Sequence, residues 1–156
     1  MTARIASGLC GLFLLLFWGA PSPALAETFN YTQWVGNIVI HVGVMPARML
    51  RHYPRGSPES GMHGGPVASH GEYHVVVALF DARTNARISK AEVKAYVHEI
   101  GVGGVEKTLM PMSIAGTVTW GNYFPMTRSA PCHIVVTIRL PGSPRPIEAL
   151  FTHWNA

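Results

Sequence analysis

Disulfides can contribute nothing to folding within this chain. It has only two cysteines in 156 residues. One of them, Cys10, falls in a segment that reads as an export signal, so Cys132 has no intramolecular partner once that segment is removed. The fold must therefore rest on its hydrophobic core. Cys132 itself reads as a buried structural residue, a metal ligand or a link to a second chain.

Acidic residues are also scarce, eight Asp and Glu in all. Asp81, Glu92, Glu99, Glu106 and Glu148 fall mostly in turns or at strand ends, so no carboxylate pair for glycoside hydrolysis is apparent. The sequence contains no Gly-x-Ser-x-Gly elbow, no His-Glu-x-x-His and no phosphate-binding glycine loop. Cys132 and His133 are adjacent within a predicted strand, where neighbouring side chains leave on opposite faces, so they cannot act as nucleophile and base. These absences argue against an enzyme. The formal net charge is +4, and the basic residues are scattered apart from Arg48, Arg51 and Arg55. That is too little for nucleic-acid binding.

After residue 26 no run is apolar enough to cross a bilayer, which takes about 20 residues. Before it, Arg4 supplies a positive start, and Ile5 to Ala20 is apolar around Leu12–Trp18. Pro21 and Pro23 break the helix, and Ala24-Leu25-Ala26 is the small-x-small pattern of a signal peptidase site. We expect residues 1–26 to be a cleaved signal peptide and 27–156 to form a single domain, large enough for its own core and located in the periplasm.

The remaining sequence alternates short apolar stretches with Gly, Pro and Asn, as in an all-β sandwich. Strands are predicted near 35–45, 73–81, 91–99, 106–112, 117–125, 132–140 and 147–154, all rich in Val, Ile, Thr and aromatics. Ile134, Val136, Ile138 and Leu140 share one face of the sixth, with His133, Thr137 and Arg139 on the other. Tyr73–Phe80 is apolar on both faces and reads as a central, covered strand. Asp81–Ala86 reads as a turn. Together these predict an immunoglobulin-like β-sandwich of about seven strands. One segment does not fit. Residues 46–72 are rich in Gly and Pro, and so long an irregular stretch is usually functional or disordered.

That segment also carries Met49, His52, Met62, His63 and His70. All eight His, and every Met except Met1, lie after residue 26. Thioethers are soft donors that select Cu(I), and imidazole suits copper and zinc. Met62-His63-Gly64-Gly65 sets two ligand types on a backbone that can turn sharply. Met110 and Met112 flank Pro111 and share a face, as do His41 and Met45. His74 opens the central strand. The expected site is Met62, His63, His74 and Met112, with His41, Met45, Met49 and Met110 as secondary candidates. Each has a plainer reading: methionine in a sandwich is often core filler, and His98, His133 and His153 read as exposed.

Residues Leu109–Tyr123 resemble the periplasmic iron-uptake accessory proteins of the FetP/Tpd kind, and the similarity extends to small exported YtkA-like domains. Pro111-Met112 matches that family's Pro-Met, Trp120-Gly121 its Tyr-Gly, and His74 its first histidine. Thr119 stands where the second histidine would be, and Val76 where the acidic ligand would be. The resemblance implies an immunoglobulin-like sandwich, often a homodimer, with a copper site of Met, His and an acid near an iron site. Of those ligands only His74 and Met112 carry over. The expected function is copper binding, with Cu(I) favoured, as a chaperone, buffer, or assembly or uptake accessory to an inner-membrane transporter or respiratory complex. The alternative is a β-sandwich interaction module that binds no metal.

Overall fold

The computed structural model describes residues 30–52, 71–114, 116–127 and 130–154. They form nine strands: β1 (Thr32–Val35), β2 (Ile38–Pro46), β3 (Glu72–Asp81), β4 (Glu92–Glu99), β5 (Gly104–Thr108), β6 (Met110–Ile114), β7 (Thr117–Pro125), β8 (Pro131–Arg139) and β9 (Ile147–Trp154). One sheet has the order β1-β2-β3-β7-β6 and the other β5-β4-β8-β9. All pairings are antiparallel.

Alternation builds the core. In β8 the inward residues Cys132, Ile134, Val136 and Ile138 are fully buried, and the intervening ones are only half-buried. Val93, Ala95, Val97, Ala149 and Phe151 complete that layer. Ile40, Val75, Val77, Leu79, Trp120 and Phe124 meet it from the five-stranded sheet. Burying a side chain the size of Phe151 or Leu79 is worth about 1.5–3 kcal/mol, so this interlayer contact holds the fold without a disulfide. As expected, β3 is the central strand of its sheet. The turn after it is fixed by Asp81, whose Oδ1 accepts hydrogen bonds from the Arg83 and Thr84 amides and the Thr84 hydroxyl at 2.9–3.0 Å. Asn85 takes the left-handed conformation there.

The sandwich holds, but with nine strands rather than about seven. The predicted first strand is really β2 preceded by a short β1, the two joined through Gly36 at φ 59°. The predicted strand at 106–112 is two strands in different sheets. Between them Leu109 is buried, and its amide bonds the Val93 carbonyl at 2.8 Å. The chain thus crosses from one layer to the other at that residue.

The start of the irregular segment is also ordered. Ala47–His52 form a 3₁₀ helix. It lies over the outer face of the five-stranded sheet, where Ala47 and Leu50 bury against Tyr123, with Met45 packed beside them.

Candidate metal centre

The site is set by register across β2, β3, β7 and β6. Directly paired residues send their side chains to the same face. His74 pairs with Met45 on one side and Tyr123 on the other. One row along, Val76 pairs with Gly43 and Gly121, and Gly121 pairs with Met110. Met112 pairs with Thr119. Since Val75, Val77 and Trp120 fill the interior, all these residues lie on the outer face.

Two predicted ligands meet there. A β-carbon built on Gly121 would sit 2.7 Å from His74 Nε2 and 2.8 Å from the Met112 methyl. The missing side chain therefore leaves a notch into which one imidazole nitrogen and the terminal methyl of Met112 both reach. His74 and Met112 are 2% and 7% exposed, although they are on the outer face. The Tyr123 ring lies against His74, centroids 4.9 Å apart and planes tilted by 37°. Burial, and secondarily the charge of Glu72, push the Tyr123 phenol above its usual value.

Thr119 and Val76 occupy the positions that the resemblance assigned to a second histidine and an acid. Both belong to this outer face: Val76 pairs with Gly121, and Thr119 pairs with Met112. Thr119 Oγ1 is buried and has no hydrogen-bond partner among the described residues. What remains is a mixed nitrogen–sulfur pair beside a buried hydroxyl. That donor set fits a soft ion content with few ligands, the preference of Cu(I). Among the described residues no three His, Cys, Asp or Glu side chains group closely enough to hold a metal.

The other candidates are dispersed or outside view. Met62 and His63 lie outside the described residues, so of the expected four-residue site only His74 and Met112 are seen together. Met45 stands opposite His74 but packs into the cluster under the 3₁₀ helix. Met49, on that helix, is exposed. Met110 is 51% exposed, beside the notch and across from Gly121. His41 shares a hydrogen bond with the Thr32 hydroxyl at 2.8 Å and packs edge-on to Phe80.

Three histidines expected at the surface are instead half-buried. His153 Nδ1 lies 2.7 Å from the Tyr31 hydroxyl. His98 and His133 pair across β4 and β8. Cys132 is fully buried in the core. Desolvation, and secondarily the charge of Glu99, raise its thiol above the usual value. This favours the structural reading of that cysteine. Sequence reasoning missed Gly121 as the centre of the site. The only signal was its place in the Trp120-Gly121 motif.

No protein-family model matches the chain, and no curated protein matches it in sequence. Solved structures do match it in shape. A copper-bound variant of FetP from a uropathogenic Escherichia coli strain superposes with TM-score 0.57 at 14% identity, covering 78% of this chain and 91% of that one. The copper-reconstituted P19 protein of Campylobacter jejuni gives 0.56 at 9%, covering 80% and 92%. A DUF4426 family protein from Pseudomonas aeruginosa gives 0.54 at 13%, covering 81% and 99%. Likeness at such identities speaks to architecture: the chain has a β-sandwich fold of the FetP and P19 kind.

Proposed function

We propose that this protein binds copper in the periplasm, as a chaperone, buffer, or assembly or uptake accessory, and is not an enzyme. The observation that carries the reading is the convergence of His74 Nε2 and the end of the Met112 side chain, through its methyl, on the Gly121 notch. The copper-bound FetP and P19 structures of similar fold support it. His74 supplies a borderline nitrogen and Met112 a soft sulfur. Exposed Met110 offers a second thioether beside the notch, and Met62 and His63 of the Gly-rich segment are the further donors.

The test is a Cu(I) titration against a competing chelator, comparing the protein with Met112→Leu. Leucine keeps the volume and removes the sulfur, which core sites usually tolerate at under about 1.5 kcal/mol. A folded variant with at least tenfold weaker Cu(I) binding is expected. Equal affinity in both proteins would reject this site.

The periplasmic reading includes removal of residues 1–26. Intact mass of protein recovered from the periplasm should start at Glu27, and a chain still carrying Met1 would reject cleavage. Delivery of the ion to an inner-membrane transporter or respiratory complex, and assembly as a homodimer, belong to the same proposal. Cross-linking in cells, followed by a search for a membrane partner or a doubled mass, tests both. Recovery of the monomer alone removes them.

The rival reading, an interaction module without metal, draws on exposed Trp34, Leu150 and Trp154. It requires Met110 and Met112 both to be core. Met112 meets that requirement and Met110 does not.

A further inference from the structure

The outer face of the other sheet carries a histidine pair that the copper proposal does not use. Gly104, His98, His133 and Thr152 form one row across β5, β4, β8 and β9. The His98 and His133 ring centroids are 5.2 Å apart, with planes at 88°.

We propose that His98 and His133 form a second metal site, for a borderline divalent cation such as Zn²⁺ or Cu²⁺, on the face of the sandwich opposite the His74–Met112 site. The spacing is the first argument. With metal–nitrogen bonds of about 2.0–2.1 Å, each ring centroid lies about 3.2 Å from the metal, and a tetrahedral angle then separates the two centroids by about 5.2 Å. The observed separation is the same. Turning the His133 ring about its Cβ–Cγ bond, a broad torsion, is the movement by which the pair would close on a shared ion, with His98 held as it stands.

The tautomer is the second argument. His98 Nδ1 lies 3.3 Å from the Glu99 carbonyl oxygen. A carbonyl can only accept, so Nδ1 is the donor in this contact, and the neutral ring with that tautomer presents Nε2 as its lone-pair nitrogen. This is the arrangement that orients metal-binding histidines elsewhere.

The third argument is that the ring is held in place. Tyr96 stacks on His98 at 5.0 Å and 27°. A β-carbon at Gly104 would come 2.5 Å from His98 Cβ and 2.7 Å from Tyr96 Cζ. Glycine there lets the Tyr96–His98 stack form. Glu106, paired with Tyr96 and exposed, adds negative charge on the same face. Two imidazoles with water completing the shell follow the ordinary divalent order, so Cu²⁺ should bind more tightly than Ni²⁺ or Zn²⁺. The absence of sulfur makes Cu(I) the less favoured ion here.

The site is tested on the whole protein in two ways. Substoichiometric Cu²⁺ in an amide NMR spectrum should broaden the resonances of residues 96–98, 133 and 152 first. Zn²⁺ titration of His98→Ala and His133→Ala should each show affinity reduced by more than about tenfold, while Gly43→Ala, at an open position on the other sheet, leaves Zn²⁺ binding unchanged. Broadening confined to other regions, or unaltered Zn²⁺ affinity in both histidine variants, overturns the proposal. Neither result bears on Cu(I) at Met112, so the two sites fail or stand separately.

Discussion

Gly121→Ala is the sharpest perturbation of the notch. Non-bonded contacts settle at about 3.5–4.0 Å, whereas the new methyl would stand 2.7 Å from His74 Nε2, 2.8 Å from Met112 Cε and 3.1 Å from the Val75 carbonyl oxygen. The Met112 methyl ends a flexible chain and can swing aside. His74 is a rigid ring, 2% exposed and lying against Tyr123, so it can yield only by displacing its neighbours. Overpacking of this kind costs about 1–3 kcal/mol. Replacing glycine returns about 0.4–1 kcal/mol by restricting the unfolded chain. The net loss is about 1–2 kcal/mol, or a melting temperature lower by roughly 3–8 °C for a domain of this size. Gly43 is the internal control. It lies in the same row of the sheet, across Val76 from Gly121, and a β-carbon there meets nothing within 4 Å. Gly43→Ala should therefore melt at or slightly above the parent temperature. Thermal melts of the three proteins followed by near-ultraviolet circular dichroism give the comparison. If Gly121→Ala is as stable as Gly43→Ala, His74 and Met112 do not crowd that point and the proposed centre is misplaced.

Two further outcomes follow from the charge environment. In protein beginning at Glu27, the buried, proton-retaining Cys132 should resist a thiol reagent at pH 8 and react with one equivalent only on unfolding; rapid reaction of the native protein would contradict its placement. The Thr127 hydroxyl and amide hold the Glu99 carboxyl below its usual value of 4.5. Its contribution to stability is thus present above the ordinary glutamate range and lost as pH falls through the lowered folded value. Thr127→Val should be less stable than the parent near pH 7, with the gap closing in acid. A gap that widens on acidification would show the sign to be wrong.

Much of the fold was legible because it depends on alternation. The β8 pattern and the doubly apolar β3 gave a strand with one buried face and a central strand, both as observed. What escaped were events that alternation cannot record. Leu109 is apolar in a run of strand-forming residues, and nothing in its identity tells that the chain changes sheets there. Gly36-Asn37 is a recognisable hairpin signal that could have separated β1 from β2. The site was half legible. His74 and Met112 came from ligand type and strand position and were matched by the family resemblance, but their meeting point is a residue without a side chain, visible only once the β3–β7 and β6–β7 registers are known. His98 and His133 belong to different strands, and no local pattern announces that they stand opposite each other. The exposure expected of them left out their contacts: the two rings meet edge to face at 5.2 Å and Tyr96 stacks on His98, and both are half-buried.

X-ray absorption at the copper edge of Cu(I)-loaded protein tests the central proposal most directly. Coordination by His74 and Met112 gives both nitrogen and sulfur scatterers around copper, with the sulfur contribution reduced in Met112→Leu and the imidazole contribution reduced in His74→Ala. A first shell of nitrogen and oxygen alone, unchanged by either substitution, would contradict copper binding at the Gly121 notch.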